Sequence, residues 1–301
     1  PGHGLDENGN PFICRVEKPV YGMAQAGRRW QRTIFPWFIE QGFTQSVQDP
    51  CVFFKMLTVQ TPDGPRDEKL ILGCYVDDLY TLASHDDEHS LYAEFVRSLQ
   101  SRWEVEDEGE IADLLNVEIA REGSQVVLRQ RAYIDRMCAL HLEGESEKDW
   151  KRVKVPCTDA LPRAVSDAQA SSAEPRDPGL VKRYQSLVGA LNYCATNTRP
   201  DIAFAVGYLS RALSCPTEDL EAAALRVLRY LGAHRDLGLF YDACSDSLTG
   251  RSDSDWAVRH STTGFVFTFC SAAISWGSKR QKSIALSSCE AELVGSARTI
   301  T

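Results

Sequence analysis

None of the ten cysteines in this chain lies in a C-x-x-C pair, which excludes the common zinc frameworks. They are scattered singly, several inside apolar runs where a reduced thiol behaves as a small hydrophobe. That pattern points to a reducing intracellular compartment. No apolar run approaches the ~20 residues of a membrane-spanning helix, and no signal-peptide pattern opens the chain at Pro1. A membrane partner is therefore not expected. Excess basic charge is missing too: 33 Lys and Arg face 42 Asp and Glu, for a net charge of -9. Phosphate neutralisation supplies most nucleic-acid affinity, so any nucleic-acid surface here has to be a local basic cleft. The remaining composition is ordinary for a globular protein, 43% hydrophobic and 25% charged. The 301 positions suffice for two or three domains.

The chain is organised around Tyr75-Val76-Asp77-Asp78, set inside an apolar run over 70–83. β-branched and aromatic residues on both sides of an Asp pair predict strand, tight turn, strand. The flanks read as buried on both faces, which places the acidic tip on a rigid core element. The residues alone leave two readings open: a solvated hairpin tip, or adjacent carboxylates held together by a cation. Magnesium suits the second, since it takes one or two protein carboxylates and leaves its other positions to water and phosphate.

Tyr-Val-Asp-Asp on an apolar hairpin resembles the catalytic hairpin of reverse transcriptases. The surrounding blocks resemble the copia-type retrotransposon polyprotein along nearly the whole chain. Val20-Tyr21-Gly22-Met23-Ala24-Gln25-Ala26-Gly27-Arg28-Arg29-Trp30 is similar to the family's nucleotide and template pocket block. Tyr21 and Gly22 match it, whereas Ala24 stands where the family has lysine and Gly27 where it has proline. Residues 12–18 before it alternate like a half-buried strand. After it comes an amphipathic helix with Trp30, Ile34, Trp37 and Phe38 on one side and Gly42 at its end. Asp49-Pro50-Cys51-Val52-Phe53-Phe54 is similar to a family strand, and the polar segment 61–69 is expected to turn it back against the Asp-Asp hairpin. His85-Asp86-Asp87-Glu88-His89 reads either as a metal site or as the acidic start of a helix whose Leu91, Phe95 and Leu99 face the core. Residues 111–119 and 125–130 predict a second hairpin, which in the family holds the primer terminus. There Asn116, tolerant of positive φ, replaces the family's glycine.

Segment 143–179 turns to Ser, Ala, Asp, Pro and mixed charge, and reads as a linker or a poorly ordered excursion. Three helices follow, with Pro200 starting the second, Thr217 capping the third and Gly232 stopping it. Tyr184-x-Ser186-Leu187-Val188-Gly189 and Thr198-Arg199-Pro200-Asp201-Ile202 resemble the copia-type thumb. Arg199, Arg226 and Arg229 are open to phosphates or to salt bridges. A strand with Asp253, two alternating strands over 264–269 and 272–276, and a helix opened by Ser287 and Glu290 in capping-box spacing resemble the first half of a ribonuclease H fold. That resemblance makes Asp253 and Glu292 metal-holding carboxylates, with Asp255 and Glu290 beside them at the surface or in support.

The expected fold is mixed α/β (α+β). A reverse transcriptase palm and fingers with an antiparallel sheet (1–145) leads through a linker (146–180) to a helical thumb (181–246) and a partial, truncated ribonuclease H-like domain (247–301). By resemblance the function is RNA-directed DNA polymerase with ribonuclease H, copying element RNA into DNA by two-metal nucleotidyl transfer. In that role Asp77 and Asp78 hold magnesium, Tyr21, Gly22, Tyr75 and Val76 lie against nucleotide or primer, and Asp253 and Glu292 hold a second magnesium set. Both metal sites read as incomplete, because the family places a further aspartate before Pro1 and another after Thr301. The chain thus reads as a polyprotein piece inactive alone, the alternative being a non-catalytic relic that at most binds nucleic acid. Expected partners are an RNA/DNA template-primer, deoxynucleotides, and the rest of the polyprotein, with integrase upstream and the remainder of ribonuclease H downstream. The family's location is cytoplasmic, in a virus-like particle, with access to the nucleus.

Overall fold

Hairpins placed by tight turns and helices placed by apolar stripes account for most of the architecture. The computed structural model describes residues 22–23, 25–171, 176–243, 247–255 and 260–300. The strand expected at 12–18 falls outside them. The chain divides into two compact units, Pro1–Glu110 and Ile111–Thr301.

In the first unit, α1 (Ala26–Glu40) buries Ile34, Trp37 and Phe38. It ends at Gly42, whose φ of +85° suits only a residue without a side-chain penalty. Its N–H donates to the Ile39 carbonyl (2.9 Å) and that of Phe43 to the Phe38 carbonyl (3.1 Å), closing the helix. β1 (Thr44–Gln45), β2 (Val52–Thr61), β3 (Gly64–Tyr75) and β4 (Asp78–Ala83) form an antiparallel sheet in that order. Thr61 pairs with Gly64, so the β2–β3 turn is only Pro62-Asp63. Positions 65–69, expected in that turn, extend β3 instead.

Leu70, Leu72 and Cys74 of β3 join Phe53, α1 and Leu91, Phe95 and Leu99 of α2 (Leu91–Gln100) in one core. The opposite sheet face carries Phe54, Met56, Ile71 and Leu82, of which Met56 is 69% and Leu82 67% exposed. The hairpin strands are therefore buried on one face, not both. A continuous apolar run hides this distinction, because the period-2 signal is lost when both faces carry hydrophobes. Glu68 is buried at 4% exposure and is tolerated because Arg66 pairs with it and the Leu91 N–H donates to its Oε2 (2.7 Å). Ser90 caps α2 through the Ala93 N–H, and the His85–His89 segment lies in the turn before it.

The second unit opens with β5 (Asp113–Leu114), β6 (Val117–Glu122) and β7 (Gln125–Arg129), followed by α3 (Arg131–His141). Leu115 and Asn116 turn β5 into β6, both at positive φ. The segment expected as a linker, 146–180, instead holds α4 (Glu147–Trp150) and α5 (Leu161–Ala170). Trp150, Leu161 and Val165 lie in the same core as α6 (Pro178–Asn197), α7 (Ala203–Leu209) and α8 (Glu218–Ala233). Pro200 starts a 3₁₀ turn ahead of α7, and the Thr217 hydroxyl accepts the Leu220 N–H (3.3 Å) at the start of α8. Gly232 does not stop α8 but lies within it. A Cβ there would stand 2.8 Å from the Trp150 ring and 3.0 Å from Cys138 Sγ, so the residue permits close approach.

β8 (Leu239–Asp242) returns to pair with β7, completing the sheet β5-β6-β7-β8. β9 (Thr249–Ser254), β10 (Thr262–Phe269) and β11 (Ala272–Arg280) form a separate antiparallel sheet with β10 central, and α9 (Ser288–Ile300) lies on it. Trp276 donates from Nε1 to the Ala195 carbonyl (2.6 Å), and Tyr208 shares a hydrogen bond with Thr262 (3.0 Å). Segments 181–246 and 247–301, expected as successive domains, thus pack within one unit.

Candidate active site

Tyr75 pairs with Asp78, leaving Val76-Asp77 as a two-residue turn with the acidic pair at the hairpin tip. Val76 sits at φ +58°, a conformation that costs a β-branched residue about 1–3 kcal/mol and collects at functional sites. Burial, then Cys51 and Asp77, push the Cys74 thiol up to about 11. It therefore stays protonated at neutral pH and contacts the Val76 carbonyl from beneath the turn (3.7 Å). Tyr75 and Val76 are 52% and 49% exposed, and Asp77 and Asp78 are exposed as well. Asp78, Tyr80 and Leu82 alternate onto the open sheet face, where the Tyr80 hydroxyl donates to Asp78 Oδ2 (3.3 Å). Two adjacent, accessible carboxylates fit a hard divalent cation that keeps water and phosphate in its other positions. Among the described residues β4 is the last strand of its sheet, so its outer edge has no ladder partner.

The second carboxylate pair lies where β9 meets α9. The Ser254 N–H lies 3.0 Å from Asp253 Oδ1 and 3.3 Å from Glu292 Oε1. One donor within reach of both places an oxygen of each carboxylate beside the same backbone N–H. Asp253 is exposed and Glu292 half-buried. Their neighbours have structural work: Asp255 accepts from the Thr262 N–H, and Glu290 accepts from the Leu286 N–H (2.7 Å) while its own N–H donates to Ser287 Oγ (3.1 Å). The Ser287 contact is the helix cap that the Ser287–Glu290 spacing predicts, while the Glu290 carboxylate reaches one residue further back, to Leu286, instead of the Ser287 N–H of a reciprocal capping box.

Gly295 makes this approach of α9 feasible. A Cβ there would stand 2.2 Å from Ser254 Oγ and 3.2 Å from Thr263 Cγ2, and Ser254 is itself bonded to Thr263 (3.1 Å). Gly295→Ala is expected to destabilise the helix–sheet contact by about 2 kcal/mol, because overpacking of about 3 outweighs roughly 1 gained in helix propensity. Hydrogen exchange should show α9 amides losing protection. Unchanged protection would mean that the helix has room to spare.

Of the other sequence candidates, Tyr21 lies outside the described residues. Gly22 is exposed at φ +90°. Arg199 is 1% exposed and grips Asp201 through two hydrogen bonds (2.9 and 2.7 Å), so it is closed to phosphate. Arg229 pairs with Glu145 (2.7 Å). Among the described residues no three His, Cys, Asp or Glu side chains cluster as a metal site, so each carboxylate pair stands as a pair.

The family profile described as reverse transcriptase (RNA-dependent DNA polymerase) matches residues 1–144. The chain is 33% identical to the retrovirus-related Pol polyprotein from transposon TNT 1-94 of Nicotiana tabacum, over 96% of this chain and 21% of that protein. It is 30% identical to the corresponding polyprotein from transposon RE1 of Arabidopsis thaliana, over 98% of this chain and 19% of that protein. With the transposon Ty5-1 protein of Saccharomyces cerevisiae it shares 28% identity over 98% of this chain and 91% of the yeast protein. The chain thus spans about a fifth of the length of the two plant polyproteins. No solved structure matches significantly.

Proposed function

This chain belongs to the reverse transcriptases of copia-type retrotransposon polyproteins, and we propose that its Asp77-Asp78 tip serves RNA-templated DNA synthesis. The observation that supports this most is the strained two-residue turn that lifts both carboxylates clear of the core. Asp77 and Asp78 would hold magnesium, which when bound neutralises charge developing on the attacking and leaving oxygens. The chain's own contribution is position. Tyr80 orients Asp78, and Cys74 steadies the turn. Tyr75 and Val76 offer an exposed apolar surface against which a primer end can lie. Tyr21 and Gly22 belong to the nucleotide pocket in this reading.

Two carboxylates serve a two-metal site incompletely. We place the remaining ligand on a strand that adds to the free edge of β4, supplied by the polyprotein outside the described residues. The chain by itself is then inactive, and template-primer, deoxynucleotides and the rest of the polyprotein are its partners. Asp253 and Glu292 form a ribonuclease H pair in the same proposal, holding magnesium against an RNA phosphodiester. The test is primer extension on an RNA template with magnesium. The chain within its polyprotein should extend the primer, and the chain alone should not. Robust synthesis by the chain alone would overturn the incomplete site, and binding without synthesis in both forms would favour a relic.

A further inference from the structure

We infer that Gln281 is a positioning residue for the Asp253–Glu292 pair, an inference that rests on the reading of that pair as a cation site. Gln281 is 1% exposed and follows directly on β11. Its side-chain NH2 donates to the Ala291 carbonyl (2.8 Å) and to Thr263 Oγ1 (3.0 Å), while its backbone N–H donates to the Ser261 carbonyl (2.7 Å). A carbonyl accepts only, so the Ala291 bond fixes which way the amide points.

The Ala291 carbonyl belongs to the peptide that joins Ala291 to Glu292. The clamp therefore acts on the backbone from which the Glu292 side chain departs. From the other end, Thr263 Oγ1 meets Ser254 Oγ (3.1 Å), and Ser254 directly follows Asp253. The Ser254 N–H then reaches both carboxylates. Ser254, Thr263, Gln281, Ala291 and Glu292 thus close a ring of contacts that returns to Asp253.

Volume alone does not explain an amide here. Gln281 Oε1 is buried without a hydrogen-bond partner among the described residues, a cost that an apolar side chain of similar size avoids. What the amide supplies and a hydrocarbon cannot is direction: one NH2 locks α9 in register against β10. A carboxylate held in register keeps its geometry for a cation, and supporting contacts of this kind are worth about 10- to 100-fold in metal affinity.

The test uses the whole chain and Mn2+ alone as probe, read by paramagnetic broadening of the Ser254 and Glu292 amide signals. Gln281→Met keeps the volume and removes both side-chain bonds. It should melt within a few degrees of the parent chain yet bind Mn2+ at this pair about tenfold more weakly. Affinity equal to the parent's would overturn the positioning role and leave the cation site standing. Absence of saturable broadening in the parent chain would overturn the site and this inference together. Should Gln281→Met detach α9, Thr263→Val removes one hydroxyl partner in nearly the same shape and carries the same two readouts. If both variants detach α9, Gln281 serves the fold alone and the inference fails.

Discussion

Asp78→Asn is expected to lower primer extension by the chain in its polyprotein by on the order of 10³-fold. Asparagine keeps the shape of the side chain and an oxygen for the Tyr80 hydroxyl, so the β3–β4 turn should survive. What is lost is one negative charge at the hairpin tip. A cation that spreads transition-state charge contributes several kcal/mol, and about 4 kcal/mol corresponds to a thousandfold. The loss should fall on the rate at saturating nucleotide, because in the proposed role Asp78 holds the reacting centre rather than the base. Single-turnover extension on an RNA template measures it directly. A variant within tenfold of the parent would remove Asp78 from the reaction.

The second large effect is on stability. Asp201→Asn should destabilise the helical unit by about 3 kcal/mol, because it leaves the Arg199 guanidinium buried without its counter-charge. Arg199 has little else to compensate: it donates to the His234 carbonyl (3.0 Å) and lies over the Tyr230 ring (5.7 Å). The figure is at the low end for a buried pair because 31% of the Asp201 side chain remains accessible. The same pair sets a pH dependence. Burial pushes the Asp201 carboxyl up, but Arg199's hydrogen bonds and charge outweigh it and leave the group below its ordinary value. A depressed folded value means that the contribution is complete above the unfolded value of about 3.9 and fades as pH falls through the folded one. Urea unfolding should therefore show the largest gap between parent and variant near neutral pH, narrowing below about pH 4. A gap that widens in acid would contradict the assignment.

The acidic hairpin was legible because two local signals agree, β-forming flanks and an Asp-containing turn. The open face of its sheet was not, since Phe54, Met56 and Leu82 look like core residues in sequence and only packing shows otherwise. Segment 146–180 misled through composition. Leu161, Val165 and Ala168 carry helical spacing, but Ser, Pro and charge around them dilute the stripe, and burial of Trp150 is a tertiary event. Asp253 and Glu292 were legible as members of a resembling motif, and the structure places them around one N–H. Gln281 was not legible at all. It stands in Lys279-Arg280-Gln281-Lys282, which reads as a solvated charge run, and it becomes buried only when α9 lands on the sheet. No sequence signal marks Gly295 either, because its role is to be small at one crossing.

The proposed function gives this chain two separate carboxylate sites with different reactions. The most direct test assays DNA synthesis and RNA-strand cleavage side by side, in polyprotein bearing either Asp78→Asn or Asp253→Asn. The expected result is crossed: Asp78→Asn loses synthesis and keeps cleavage, while Asp253→Asn loses cleavage and keeps synthesis. Either substitution abolishing both activities, or leaving both intact, would contradict it.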